Sequence, residues 1–150
     1  MDTKSFSIKL PVNTQVIILD VELNIPVIDG NSEKIVAVKS KALVDTGANS
    51  SCISKRLASA CQLRPVSALK MISAHGMSIA QVYEVSISLP NDTVFPSLSV
   101  VEVEGSRFFD VIIGMDILSK CDFAFSLNNN ESCFSMRIPS KKELIDFTKI

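Results

Sequence analysis

The chain has 150 residues, 47% hydrophobic and 21% charged, a size and mix that suit one globular domain and exclude a disordered chain. Its 15 basic and 16 acidic residues give a net charge of −1, so no cationic surplus exists for a phosphate backbone and no nucleic-acid partner is expected. No apolar run is long enough to span a bilayer, and Met1-Asp2-Thr3-Lys4-Ser5 does not open a leader; the expectation is a cytoplasmic protein with reduced thiols and no membrane partner.

In chain order, Phe6 to Leu10 alternates apolar and polar, as does the second half of Val16 to Ile25, which predicts half-buried strands. Pro26 is expected to end the second, before a turn at Asp29-Gly30-Asn31-Ser32. Lys34 to Val44 is strand-like, with β-branched Ile35, Val36 and Val38. Ser54 is placed to cap a short helix from Lys55 to Cys61, which Pro65 closes off. Val66 to Ile72 and Met77 to Leu89 read as partner strands around a hairpin tip at Ser73-Ala74-His75-Gly76, and Pro90-Asn91-Asp92 is a turn. Leu98 to Val103 is a further strand, and Asp110 to Gly114 a short apolar one ending on glycine. Met115 to Cys121 suits a helix of about two turns. Phe123 to Leu127 and Cys133 to Ile138 form a hairpin around Asn128-Asn129-Asn130-Glu131, and Ser140 to Ile150 is a short helix or a frayed tail.

Cys52, Cys61, Cys121 and Cys133 lack the short spacings of a zinc or redox motif, and His75 is the one histidine, so no metal site is expected and the cysteines read as core or near-surface residues. The chemistry concentrates at Asp45. It ends an apolar strand, and the nearest basic residue that follows is Lys55. A buried lone charge is costly; Thr46 and Gly47 supply a hydroxyl, a permissive backbone and N–H donors that hold a carboxylate in place. Ala42 to Gly47 is an apolar strand running into a glycine turn and a short helix, and Val111-Ile112-Ile113-Gly114 repeats that order.

These two runs carry a resemblance to the retropepsin-like aspartic peptidases. Leu43-Val44-Asp45-Thr46-Gly47-Ala48 matches the family's Asp-Thr-Gly-Ala signature, and Val111-Ile112-Ile113-Gly114-Met115-Asp116-Ile117-Leu118 its second apolar-apolar-glycine motif and helix. Asp-Thr-Gly alone is a weak triplet; the two motifs in order, with strand pattern between them, are a strong signal. Ala74-His75-Gly76 falls where the family places its flap, and the terminal hairpin looks like that of bacterial members. The resemblance spans roughly residues 15 to 139, which divides the chain into an N-terminal segment 1–14, a peptidase domain 15–139 and a C-terminal tail or short helix 140–150.

The resemblance implies a mostly β fold: a closed retropepsin-like barrel with short helices after each glycine motif, a flap hairpin and a C-terminal hairpin. It implies an aspartic endopeptidase without metal or cofactor, acting on extended peptides. Pepsin-like enzymes carry two triplets; here Asp92-Thr93 is followed by valine, and Asp110, Asp116 and Asp122 have other neighbours. A homodimer with Asp45 beside its symmetry mate therefore follows. Thr46, Gly47 and Ala48 would support the site, with Thr46 hydroxyls interlocking across the dimer, and Ala74, His75 and Gly76 would close over substrate. Two departures stand out: the tip has fewer glycines than viral flaps, and Met115 replaces the arginine that many viral members use in a supporting ion pair.

Plainer readings compete. His75 reads first as an exposed turn residue, with a pH-sensitive flap contact as the sharper alternative, and Asp116 as a first-turn helix residue favoured by the dipole rather than a second acid. Phe108, Phe109, Phe123 and Phe125 suit core or dimer packing. The alternatives to an endopeptidase are a catalytically inactive peptide-binding or dimerisation module, and a self-processing component of a larger assembly.

Overall fold

The computed structural model describes residues 2–149; Met1 and Ile150, the outer ends of the two terminal segments, lie outside the described residues. The strands are β1 (Lys4–Pro11), β2 (Ile18–Asp29), β3 (Ser32–Val44), β4 (Cys52–Ser54), β5 (Ser67–Ser73), β6 (Gly76–Ser88), β7 (Val94–Val103), β8 (Val111–Ile113), β9 (Asp122–Leu127) and β10 (Glu131–Ile138). Helix α1 (Lys55–Ala60) follows β4, α2 (Met115–Leu118) follows β8, and a 3-10 turn spans Phe147–Lys149.

Six strands close a barrel in the order β2-β3-β8-β4-β7-β6, and β2 pairs back to β6 through Glu22–Asn24 and Ser86–Ser88. Closure removes open edges, which a β-rich chain of this size would otherwise expose. Alternation along β2 sends Leu19, Val21, Leu23 and Ile25 inward, where they meet Ile53, Val85, Ile87, Val100, Val111 and Ile113. Each fully buried aliphatic side chain stabilises the fold by about 1.5–3 kcal/mol before entropy is counted. β5 lies outside the ring and pairs with β6 alone, so the β5–β6 hairpin projects from the barrel.

Ser54 caps α1 as its type predicts, its hydroxyl accepting from the Leu57 N–H at 3.0 Å. The Asp29–Ser32 turn places Gly30 at φ +64, a left-handed conformation that glycine adopts without strain. Three expectations differ. Pro26 does not end β2, which runs on to Asp29; past Asn24 β2 pairs with β3 alone, where a residue lacking an N–H is tolerated. β7 begins at Val94, earlier than Leu98, because the chain absorbs Pro96 beside a register shift and puts Ser97 at φ +51. Helix α2 is one turn, not two: the Lys120 and Cys121 N–H groups bond back three residues to Ile117 and Leu118, which tightens and ends it.

The termini form a second sheet, β1-β10-β9, against the barrel. Phe134, Met136 and Ile138 of β10 point into the core. At one end Asp122 accepts from Arg137 Nε at 2.6 Å, from the Lys141 N–H at 2.9 Å and from the Ser140 hydroxyl. These donors, the Ser140 hydroxyl first and Arg137 next, hold its carboxyl down at about 2 from an ordinary 3.8. A depressed carboxyl stabilises above its unfolded pKa and loses that contribution as pH falls through the folded value. The attachment of residues 140–149 is thus expected to loosen as pH drops from about 4 to about 2. Amide exchange of Lys141 across that window checks it, and Asp122→Asn should abolish the dependence.

Candidate active site

β3 and β8 run parallel, Ala42 beside Val111 and Val44 beside Ile113, while β4 lies antiparallel on the other flank of β8. The segment joining β3 to β4 therefore arches over the end of β8. This geometry explains the repeated sequence pattern: the Asp-Thr-Gly turn and Gly114 leave parallel neighbours at the same end of the barrel. The Asp45 N–H donates to Ile113 O at 3.0 Å, and the Met115 N–H to Ala48 O at 2.8 Å.

The Asp45 carboxylate is half-buried and accepts from the Gly47 N–H at 2.8 Å. A Cβ on residue 47 would stand 3.1 Å from Asp45 Oδ1, so glycine gives the backbone donor its approach. Ala48 closes the turn, its N–H donating to Asp45 O at 3.3 Å. Thr46 is exposed at the rim. Asp45 and Thr46 share an open cleft of about 420 Å³ with Thr14, Gln15, Ile17, Val44, Phe123, Phe125 and Phe134.

Asp116 lies in the first turn of α2. Its carboxylate takes the Ser51 N–H at 2.9 Å and the Ser51 hydroxyl at 2.8 Å, while Ser51 Oγ accepts the Gly114 N–H at 3.1 Å. Its contacts tie the arch to the second glycine motif. Sequence reasoning placed Asp116 on the helix but missed Ser51, a buried serine whose partner lies 65 residues on. The signal available was the pairing of two motifs, without any marker of which residues would bridge them. Met115 packs against the core. At the opposite end of β8, Arg56 grips Asp110 with Nη2 at 2.8 and 2.9 Å. Asp116→Ala would leave the fully buried Ser51 without its acceptor, an expected loss of about 2 kcal/mol, read as a lower midpoint in urea; Asp116→Asn should lose less.

Cys52 sits near both carboxylates; burial first, then Asp116 and Asp45, push its thiol up, and burial pushes Cys121 to about 11. Both stay protonated and unreactive at neutral pH, as core cysteines do. The hairpin tip is a two-residue turn, Ala74-His75, with Ser73 opposite Gly76, which has φ +114. Ala74, His75 and Gly76 do not line the Asp45 cleft. Near them the hairpin exposes Ile72, Met77 and Ile79 at 83%, 75% and 68%. Among the described residues no group of three or more His, Cys, Asp or Glu is arranged to hold a metal, and no helix is long and apolar enough to cross a membrane.

A closed barrel with an Asp-Thr-Gly turn interlocked with a second glycine turn defines the retropepsin-like aspartic protease class. The chain belongs to the family described as "gag-polyprotein putative aspartyl protease", which matches residues 34–120. In fold it is similar to a retropepsin-like aspartic protease from Rickettsia conorii, with TM-score 0.57 and 16% identity over 91% of this chain and 96% of that one. Weaker likenesses are to Simian Foamy Virus (mac) protease, TM-score 0.47 and 16% identity over 68% of this chain and 91% of that one. Another is to the retroviral protease-like domain of Ddi1 from Leishmania major, TM-score 0.43 and 20% identity over 86% and 100%. No curated protein sequence matches the chain.

Proposed function

We propose that this chain is an aspartic endopeptidase whose active site is made by two copies, each contributing Asp45. The observation that carries this reading is the Asp45 carboxylate itself, fixed by the Gly47 N–H at the rim of an open cleft, in a chain with a single Asp-Thr-Gly. Two carboxylates within a hydrogen bond of each other cannot both ionise cheaply, so the pair holds one proton and titrates as a unit. The ionised member takes a proton from a bound water, whose oxygen attacks the scissile carbonyl carbon. The protonated member gives its proton to the carbonyl oxygen. Collapse of the tetrahedral intermediate breaks the C–N bond, the leaving nitrogen takes a proton, and the pair returns to its starting charge.

Thr46, exposed beside Asp45, is assigned to bonding its symmetry mate. The β5–β6 hairpin, with Ala74, His75 and Gly76 at its tip, is assigned to closing over an extended peptide through main-chain bonds, its exposed Ile72, Met77 and Ile79 finding cover on apolar substrate side chains. The test is incubation with an unfolded protein from acidic to neutral pH, with and without a pepstatin-type transition-state analogue. Cleavage that the analogue blocks is expected. Tight peptide binding with no cleavage at any pH would replace this reading with that of a binding module.

A further inference from the structure

The β5–β6 hairpin carries a lysine and no acid. A row of register neighbours runs from Leu43 through Ile112, Cys52 and Val101 to Val82, so the hairpin leaves the barrel level with the strand end that bears Asp45. Along β6, Tyr83, Val85 and Ile87 point into the core. Alternation carries that same face outward through Gln81, Ile79 and Met77, and register sets Ala68, Lys70 and Ile72 of β5 opposite them. On the other face Ala80 and Val82 are already buried. The open side of the hairpin is therefore the one continuous with the barrel interior, where Ile72, Met77 and Ile79 are exposed. Lys70 lies among these three, exposed and opposite Ile79. No residue from Val66 to Val82 is acidic, and among the described residues Lys70 forms no ion pair.

We infer, resting on the peptidase reading above, that Lys70 selects substrates that carry an acidic side chain, Asp or Glu, away from the scissile bond. Lys70 stands about 10 Å along β5 from the hairpin tip. A peptide held under the hairpin covers Ile72, Met77 and Ile79 and takes water away from the ammonium beside them. An ammonium that loses water without gaining a partner is costly. No group of the hairpin offsets that cost, so the carboxylate must come from the substrate. The effect is one of discrimination: an amide or aliphatic side chain at the same position leaves Lys70 unpaired, and a basic one repels it. Two copies of the chain set two such lysines about the two-fold axis, so the preference is expected on both sides of the bond that is cut.

The experiment maps, by mass spectrometry, the sites that the full chain cuts in a library of unstructured peptides. It then measures kcat/KM on two peptides that differ only as Glu against Gln at the selected position. Wild type is compared with Lys70→Gln, Lys70→Glu and, as a control for net charge, Lys142→Glu, with circular dichroism to confirm each fold. The expected result is that wild type and Lys142→Glu favour the Glu peptide by about 5-fold or more, mainly through KM, and lose much of that preference in high salt. Lys70→Gln should level the two peptides, and Lys70→Glu should favour Lys or Arg at the same position. An acid preference that survives in Lys70→Glu would overturn Lys70 as a specificity residue and leave the chemistry of Asp45 standing. So would cleavage with no preference for acids, the result if the ammonium turns away to solvent. A wild-type chain that cuts no library peptide under any condition would overturn both readings.

Discussion

Asp45→Asn should abolish peptide cleavage, lowering kcat by about 10³-fold or more, while leaving the fold and its melting temperature nearly unchanged. The amide retains an oxygen for the Gly47 N–H, which reaches Asp45 Oδ1 at 2.8 Å, so the turn keeps its bond. What is lost is the group that takes a proton from water, a barrier increase of about 4 kcal/mol for that rate change. Initial rates on a peptide substrate, measured beside thermal unfolding, separate the two effects. A variant that cuts at the wild-type rate would remove Asp45 from the chemistry, and one that fails to fold would make it a structural residue.

Gly114→Ala should be the most damaging single methyl in the chain. Gly114 has φ −98, which any residue adopts, so the requirement is for space. A Cβ there would lie 2.8 Å from Ala48 O and 2.8 Å from the carbonyl carbon and oxygen of Ser50. All three are backbone atoms, and they belong to the arch that carries Asp45. The arch must move or the substitution must be strained, at an expected cost of about 3 kcal/mol, or about 10 °C in Tm for a domain of this size. Activity should fall with it, because displacing the arch displaces the carboxylate. Gly30→Ala is the contrast: nothing lies within 4 Å of its Cβ position, so only the left-handed backbone penalty of about 1 kcal/mol applies. Equal melting temperatures for the two variants would contradict the interlocked-turn account.

The elements that were legible in the sequence are those whose signals are local. Strand alternation located β2, β6 and β10; the Ser54 cap located α1; and the turn chemistry at Gly30 and at Ala74-His75 located two hairpins. Pro26 misled because proline's cost depends on whether a neighbour needs its N–H, which is a property of the sheet and not of the strand. β4 went unseen because three residues carry no period; its identity comes from β8 and β7 on either side. At the site, Asp45, Thr46, Gly47 and Ala48 were legible as a motif. The Asp116–Ser51 clamp was not, since a hydrogen bond between residues 65 apart exists only after β3, β8 and β4 have come together.

Fold and motif meet in the claim that one catalytic centre needs two chains, and subunit mixing tests it most directly. A fixed amount of wild-type chain is equilibrated with a nine-fold excess of Asp45→Asn chain, and peptide cleavage is followed. If each centre requires Asp45 from both copies, random pairing leaves about one wild-type chain in ten with a wild-type partner, and activity falls to about one tenth. Activity that stays constant as the inactive chain is added, with exchange of subunits verified, would mean that a single chain carries the complete site.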